Sequence, residues 1–161
     1  MAETAQVHEI YRYPVKGFSP EPLDRTTLRA GQTVPNDRRY AIENGPSGFD
    51  PAEPKYFPKS YFLMLMRNET LAALRTHYDD DSHTLTIAQD GREVARGDLE
   101  TKDGRLAIEA FLRRYFGDAP WTAALVRDLS AWPGAEPWQH DPALLSLTLS
   151  KCRQQMTQQR A

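Results

Sequence analysis

Two basic residues stand in settings that suit anion binding. Lys16 follows Tyr13, Pro14 and Val15 in the segment YPVKGFSPEPL (13–23), and Arg38 lies in VPNDRRYAI (34–42). Lysine supplies a flexible point charge and arginine a planar fork of donors, so the pair suits a phosphate. Arg38 shares strand parity with Tyr40 and Ile42. If those two point inward, Arg38 is expected at the entrance of the β structure they line. The alternative for Lys16, Arg38 and Arg39 is a set of solvated surface charges.

Other chemistry-bearing residues make weaker cases. His77, Asp79, Asp80, Asp81 and His83 in HYDDDSH have the types of a metal site, yet the segment falls between a short helix and a strand, where a charged turn is expected. Cys152 is the single cysteine and sits in the polar setting LSKCRQQMTQQ. One thiol excludes an intramolecular disulfide framework and any multi-cysteine zinc site, and Cys152 is read as unligated. His8 and His140 are isolated from any acid–base or nucleophile partner in sequence, and the serines lack a G-x-S-x-G setting. No P-loop or dinucleotide glycine pattern occurs. The aromatic run Tyr56, Phe57, Tyr61 and Phe62 is read as core or loop anchoring rather than a stacking platform for bases. No catalytic residue and no metal ligand is assigned.

The elements that must position these residues are short. Twelve prolines and nine glycines are spread along 161 residues, a pattern that favours a β-barrel or sandwich over a helical bundle. Strands are expected at 7–13, at 21–30, from Arg38 to Asn44, and at 61–67, the last as a continuous apolar run buried on both faces. A short helical turn is expected at 69–76. The segment HTLTIAQDGREVARGDL reads as a hairpin, because Leu85 and Ile87 alternate with threonines and Asp90-Gly91 suits a tight turn. Ile108, Phe111, Leu112 and Tyr115 share one helical face, so a helix is expected over about 104–116, capped by Asp103, ended by Gly117 and followed by Pro120. A last strand is expected at 121–127. The fold class is therefore mainly β (α+β): a small barrel of antiparallel strands with one late amphipathic helix.

The character of the chain changes near residue 130. Residues 1–129 are read as one β domain and 130–161 as an irregular tail expected to be disordered, with LLSLTL (144–149) as a possible short strand. The net charge of −2 argues against nucleic acid as the main partner. No apolar stretch is long enough to span a bilayer and the start lacks a secretory pattern, so the cytoplasm is the expected compartment.

The motifs YPVKG and NDRRY resemble the opening of the MOSC family, named for the C-terminal domain of molybdenum-cofactor sulfurases, which includes the amidoxime-reducing components and related bacterial proteins. The resemblance extends through FPKSYFLMLMR, the DGREV hairpin and the helix, over roughly 7–127. It implies an N-terminal β-barrel domain that recognises substrate or helps to seat a pterin cofactor. It also implies that Lys16 and Arg38 match basic residues holding the cofactor's phosphate. The family's serine after the motif lysine is Gly17 here. In family enzymes the molybdenum is bound through a cysteine of the following catalytic domain, and the setting of Cys152 has no likeness to that segment. The chain is thus expected to be non-catalytic alone and to hold no cofactor in isolation, its partner being a MOSC catalytic domain or another protein. The alternative is a non-enzymatic binding module for a phosphorylated small molecule or a protein. A frameshift near residue 130 would also produce the compositional change.

Overall fold

Alternation of side chains builds the central sheet. In the computed structural model, which describes residues 7–30, 32–45, 48, 50, 53, 57–117 and 126–128, three antiparallel strands run in the order β4 (Leu74–Asp79), β5 (Thr84–Gln89), β6 (Arg92–Asp98). Leu74, Thr76 and Tyr78 of β4 are buried while Arg75, His77 and Asp79 are exposed, the period of two that a half-buried strand requires. Leu85 and Ile87 do the same for β5. Asp90 and Gly91 both take positive φ, at 51° and 75°, which matches the twist of a two-residue hairpin turn.

Two smaller antiparallel pairs complete the strands. β1 (Ile10–Arg12) pairs with β2 (Glu21–Leu23), and β3 (Tyr40–Ile42) pairs with β7 (Val126–Asp128). Isolated bridges join Val15 to Tyr40 and Glu43 to Phe62, so β3 is flanked by the chain on several sides and all three of its residues are buried. The strands therefore form antiparallel sheets of two, two and three, and among the described residues the backbone ladders do not close into one ring. A core of Val15, Phe18, Tyr40, Ile42, Leu63, Leu74, Tyr78, Leu85, Ile87 and Leu99 joins β3 to the central sheet and to the loop after β1, and the helix α1 (Lys102–Phe116) adds Ile108 and Leu112 to it.

Several sequence expectations need correction. The run 61–67 is not a strand. A single 3-10 turn at Lys59–Tyr61 leads to one bridge at Phe62, and the chain then turns, with Arg67 and Asn68 amides donating to the Met64 carbonyl. Met66 is 87% exposed, so continuous apolar composition does not mean burial here. The helical turn after it, Glu69–Ala73, ends at Leu74, where β4 begins. The first three strands are only three residues long each. The helix starts two residues early: Thr101, not Asp103, is the N-cap, its hydroxyl accepting from the Gly104 amide at 3.0 Å. Gly117 ends the helix with φ 67°, as expected. The expected tail, the 144–149 strand, residues 121–125, Tyr56, Pro120, His140 and Cys152 lie outside the described residues. No helix among the described residues is long and apolar enough to cross a membrane.

Where α1 crosses β6, glycine is required on both sides. A Cβ at Gly97 would run into the Gly104 carbonyl, and one at Gly104 into the backbone of Asp98. Gly104→Ala is therefore expected to force the helix off the sheet, at a cost of about 1–3 kcal/mol or more. Urea denaturation measures this, and unchanged stability would mean that the helix has room to move away freely.

Candidate anion site and the network that holds it

The site begins with a buried charge. Arg12, the last residue of β1, is 3% exposed, and Glu21 opposite it on β2 is nearly as buried. The Arg12 guanidinium donates to Glu21 Oε2 from Nε at 3.2 Å and from Nη2 at 3.0 Å, and to both carboxylate oxygens of Asp80 at 2.7 and 2.9 Å. It also donates to the Tyr78 carbonyl at 3.0 Å and the Pro35 carbonyl at 3.4 Å. Burial pulls the Arg12 pKa down, but the bonds to Asp80 and Glu21 more than offset it, and the net shift is upward.

These side chains also complete the edge of β4 that β5 leaves unpaired. The Thr76 amide donates to Ser19 Oγ at 2.9 Å, and the Tyr78 amide to Glu21 Oε1 at 3.3 Å. Side chains thus stand where a neighbouring strand's backbone would, leaving those buried groups satisfied.

The network fixes the course of the chain beyond Arg12. Residues 13–16 run beside 38–40: the Arg38 amide donates to the Tyr13 carbonyl at 2.6 Å, the Tyr40 amide to Pro14 at 3.1 Å, and the Lys16 amide to Tyr40 at 2.8 Å. Asp37 Oδ1 accepts from the Tyr13 amide at 2.8 Å and its other oxygen is ion-paired with Arg38. The backbones of the two motifs are therefore neighbours. Lys16 Nζ lies 4.7 Å from the Phe62 ring centre and the Arg38 guanidinium carbon 5.4 Å from that of Tyr13, cation–π contacts that support each cation. Arg38 is not the strand residue that its parity with Tyr40 suggests. Its φ is 54°, it closes a turn after the Asp37 amide bonds Val34, and its side chain is half exposed.

The HYDDDSH residues have other uses. Asp80 serves Arg12 and accepts from Asn36 Nδ2 at 2.8 Å. His77 Nδ1 lies 2.5 Å from Glu21 Oε1. Asp79 Oδ1 accepts from the Ser82 amide and hydroxyl and the Asp81 amide, and those bonds, the Ser82 amide first, hold its carboxyl below the usual range. No group of three or more His, Cys, Asp or Glu side chains converges as a cation site among the described residues. Arg12, Glu21, Ser19 and Asp80 were not legible as a cluster, because nothing in their spacing links them.

A scan of family models matches residues 4–117, well over half of the chain, to the MOSC N-terminal beta barrel domain. The chain belongs to that family. Comparison with curated proteins and with solved structures returns no match. Within this MOSC N-terminal domain, Gly17 has a plain physical reason. Its φ is 85°, and a Cβ there would strike the Leu63 carbonyl while the Gly17 carbonyl accepts from the Leu65 amide at 3.3 Å. Gly17→Ser, which installs the hydroxyl that the resemblance leads one to expect, should destabilise by about 1–3 kcal/mol from the backbone conformation alone. Thermal unfolding checks this, and a serine variant as stable as the parent would show that the loop relaxes without cost.

Proposed function

We propose that this MOSC N-terminal domain is the supporting half of a molybdenum-cofactor protein, in which Lys16 and Arg38 hold a phosphate for a partner catalytic domain. The observation that carries the reading is the side-by-side course of residues 13–16 and 38–40, which sets the two motif cations on neighbouring stretches of backbone. The side-chain donors fit the phosphate end of a pterin cofactor: one point charge and one planar fork. Asp37 does not preclude it. One arm of the Arg38 guanidinium meets that carboxylate, and the group has five N–H donors in all. The cofactor, when bound, supplies the redox or sulfur-transfer chemistry of its molybdenum. This chain would orient its phosphate and exclude water from it. The β1–β2 pair, tied to the central sheet by Arg12, Glu21 and Ser19, and the β3 strand, which shares the central sheet's core, would act as facets of one small barrel.

A second reading has its own observation. Tyr61, Leu65 and Met66 are exposed apolar residues on the turn whose Leu65 amide bonds Gly17, next to Lys16 in the chain. A protein-binding module without cofactor duties would use such a turn.

Titration of the 15N-labelled chain with inorganic phosphate and with a pterin monophosphate separates the two readings. The cofactor reading predicts saturable shifts at the Lys16, Gly17 and Arg38 amides, with affinity falling roughly tenfold or more in Lys16→Ala and in Arg38→Ala. No shift at millimolar ligand would overturn it and leave the protein-partner reading.

A further inference from the structure

A chain of hydroxyls crosses the core between two polar groups. His83 Nδ1 is 3.1 Å from the Tyr78 hydroxyl, which is 3.3 Å from the Tyr40 hydroxyl, which is 3.0 Å from Glu100 Oε1. Arg39 Nη2 is ion-paired with the same Glu100 oxygen and its guanidinium lies 5.3 Å from the Tyr40 ring centre. Burial raises the pKa of both tyrosines, so each keeps its single O–H.

Counting protons sets the direction of the chain. An ionised Glu100 only accepts, so the Tyr40 proton is committed to it. Tyr40 then has only lone pairs for Tyr78, whose proton must point to Tyr40. Tyr78 in turn has only lone pairs for His83, so all three contacts are hydrogen bonds only if His83 Nδ1 carries a proton. The backbone holds the ring in place for this role. His83 has φ 52°, an uncommon conformation for a non-glycine residue, and its carbonyl accepts from the Leu99 amide at 3.0 Å.

We propose that this one-way chain is a tautomer lock that keeps neutral His83 protonated on Nδ1 and leaves its Nε2 lone pair as a hydrogen-bond acceptor. The hydrogen bond made by one ring nitrogen decides the state of the other. Here that bond is imposed from Glu100 through two buried hydroxyls. The lock acts on a residue distinct from Lys16 and Arg38, and Tyr40 of the NDRRY motif is part of the device that sets it.

Long-range proton–nitrogen correlation spectra of the 15N-labelled full chain, at a pH where the ring is neutral, read the tautomer directly. The expected result is Nδ1–H at His83 in the parent protein. In Glu100→Ala the Tyr40 hydroxyl is free to donate to Tyr78, whose hydroxyl then donates to His83 Nδ1, so the neutral ring carries its proton on Nε2. In Tyr40→Phe the Tyr78 hydroxyl loses its other acceptor and likewise donates to His83 Nδ1. Both variants should therefore exchange the two ring nitrogen shifts of His83 and leave those of exposed His8 and His77 unchanged. Glu100 lies at the surface, so its variant reads out even where Tyr40→Phe fails to fold. An Nε2–H tautomer in the parent, or an Nδ1–H tautomer that persists in folded Glu100→Ala, would overturn the proposal.

Discussion

A guanidinium buried away from water has to be matched on every side, and the arrangement around Arg12 arises from that requirement. Burying an ion costs several kcal/mol, and the attraction of a partner offsets this only when the remaining hydrogen bonds are also made. Arg12 meets the condition with Glu21, Asp80 and the carbonyls of Tyr78 and Pro35. The four partners come from three parts of the chain. Glu21 fixes the β1–β2 pair, Tyr78 the edge of the central sheet, and Asp80 the turn beyond β4. Pro35 and Asn36, tied to Arg12 and Asp80, immediately precede Asp37. Since Arg12 itself immediately precedes Tyr13, one cluster clamps the stretches leading into both motifs.

That clamp explains why short strands suffice. Strands of three residues contribute little pairing, and the core of Val15, Phe18, Tyr40, Ile42 and Tyr78 draws on segments that no continuous ladder connects. Polar side chains of Ser19, Glu21 and Arg12 bridge the gap at the β4 edge. They also cover an edge that would otherwise invite pairing with another chain.

The parts legible in the sequence were those governed by local rules. The β5–β6 hairpin follows from Leu85, Ile87 and the Asp90-Gly91 turn, and the helix from the spacing of Ile108, Phe111, Leu112 and Tyr115. β4 was legible in principle, since Leu74, Thr76 and Tyr78 alternate with charged residues, but the helix formers before it masked the period. The 61–67 segment was not legible, because whether an apolar run is buried depends on neighbours such as Gly17 and Ile42. The motif pair YPVKG and NDRRY carried the resemblance to the family, and the match over 4–117 agrees with it. Strand parity did not place Arg38, whose positive φ is set by the turn after Val34. Burial of an arginine could not be read from YRYP, since its partners lie 9 to 68 residues away.

The most direct test of the clamp is native-state amide hydrogen exchange in the full chain, comparing the parent with Arg12→Met. The Lys16, Arg38 and Tyr40 amides bond the facing motif, and the Thr76 and Tyr78 amides bond Ser19 and Glu21. If Arg12 holds these segments together, the variant removes the guanidinium that Glu21 Oε2 is bonded to, and protection at all five amides falls roughly tenfold or more. It should fall there further than in the β5–β6 hairpin, whose pairing does not involve the cluster. Unchanged protection at Lys16, Arg38 and Tyr40, or a loss no larger than in the hairpin, would contradict the account.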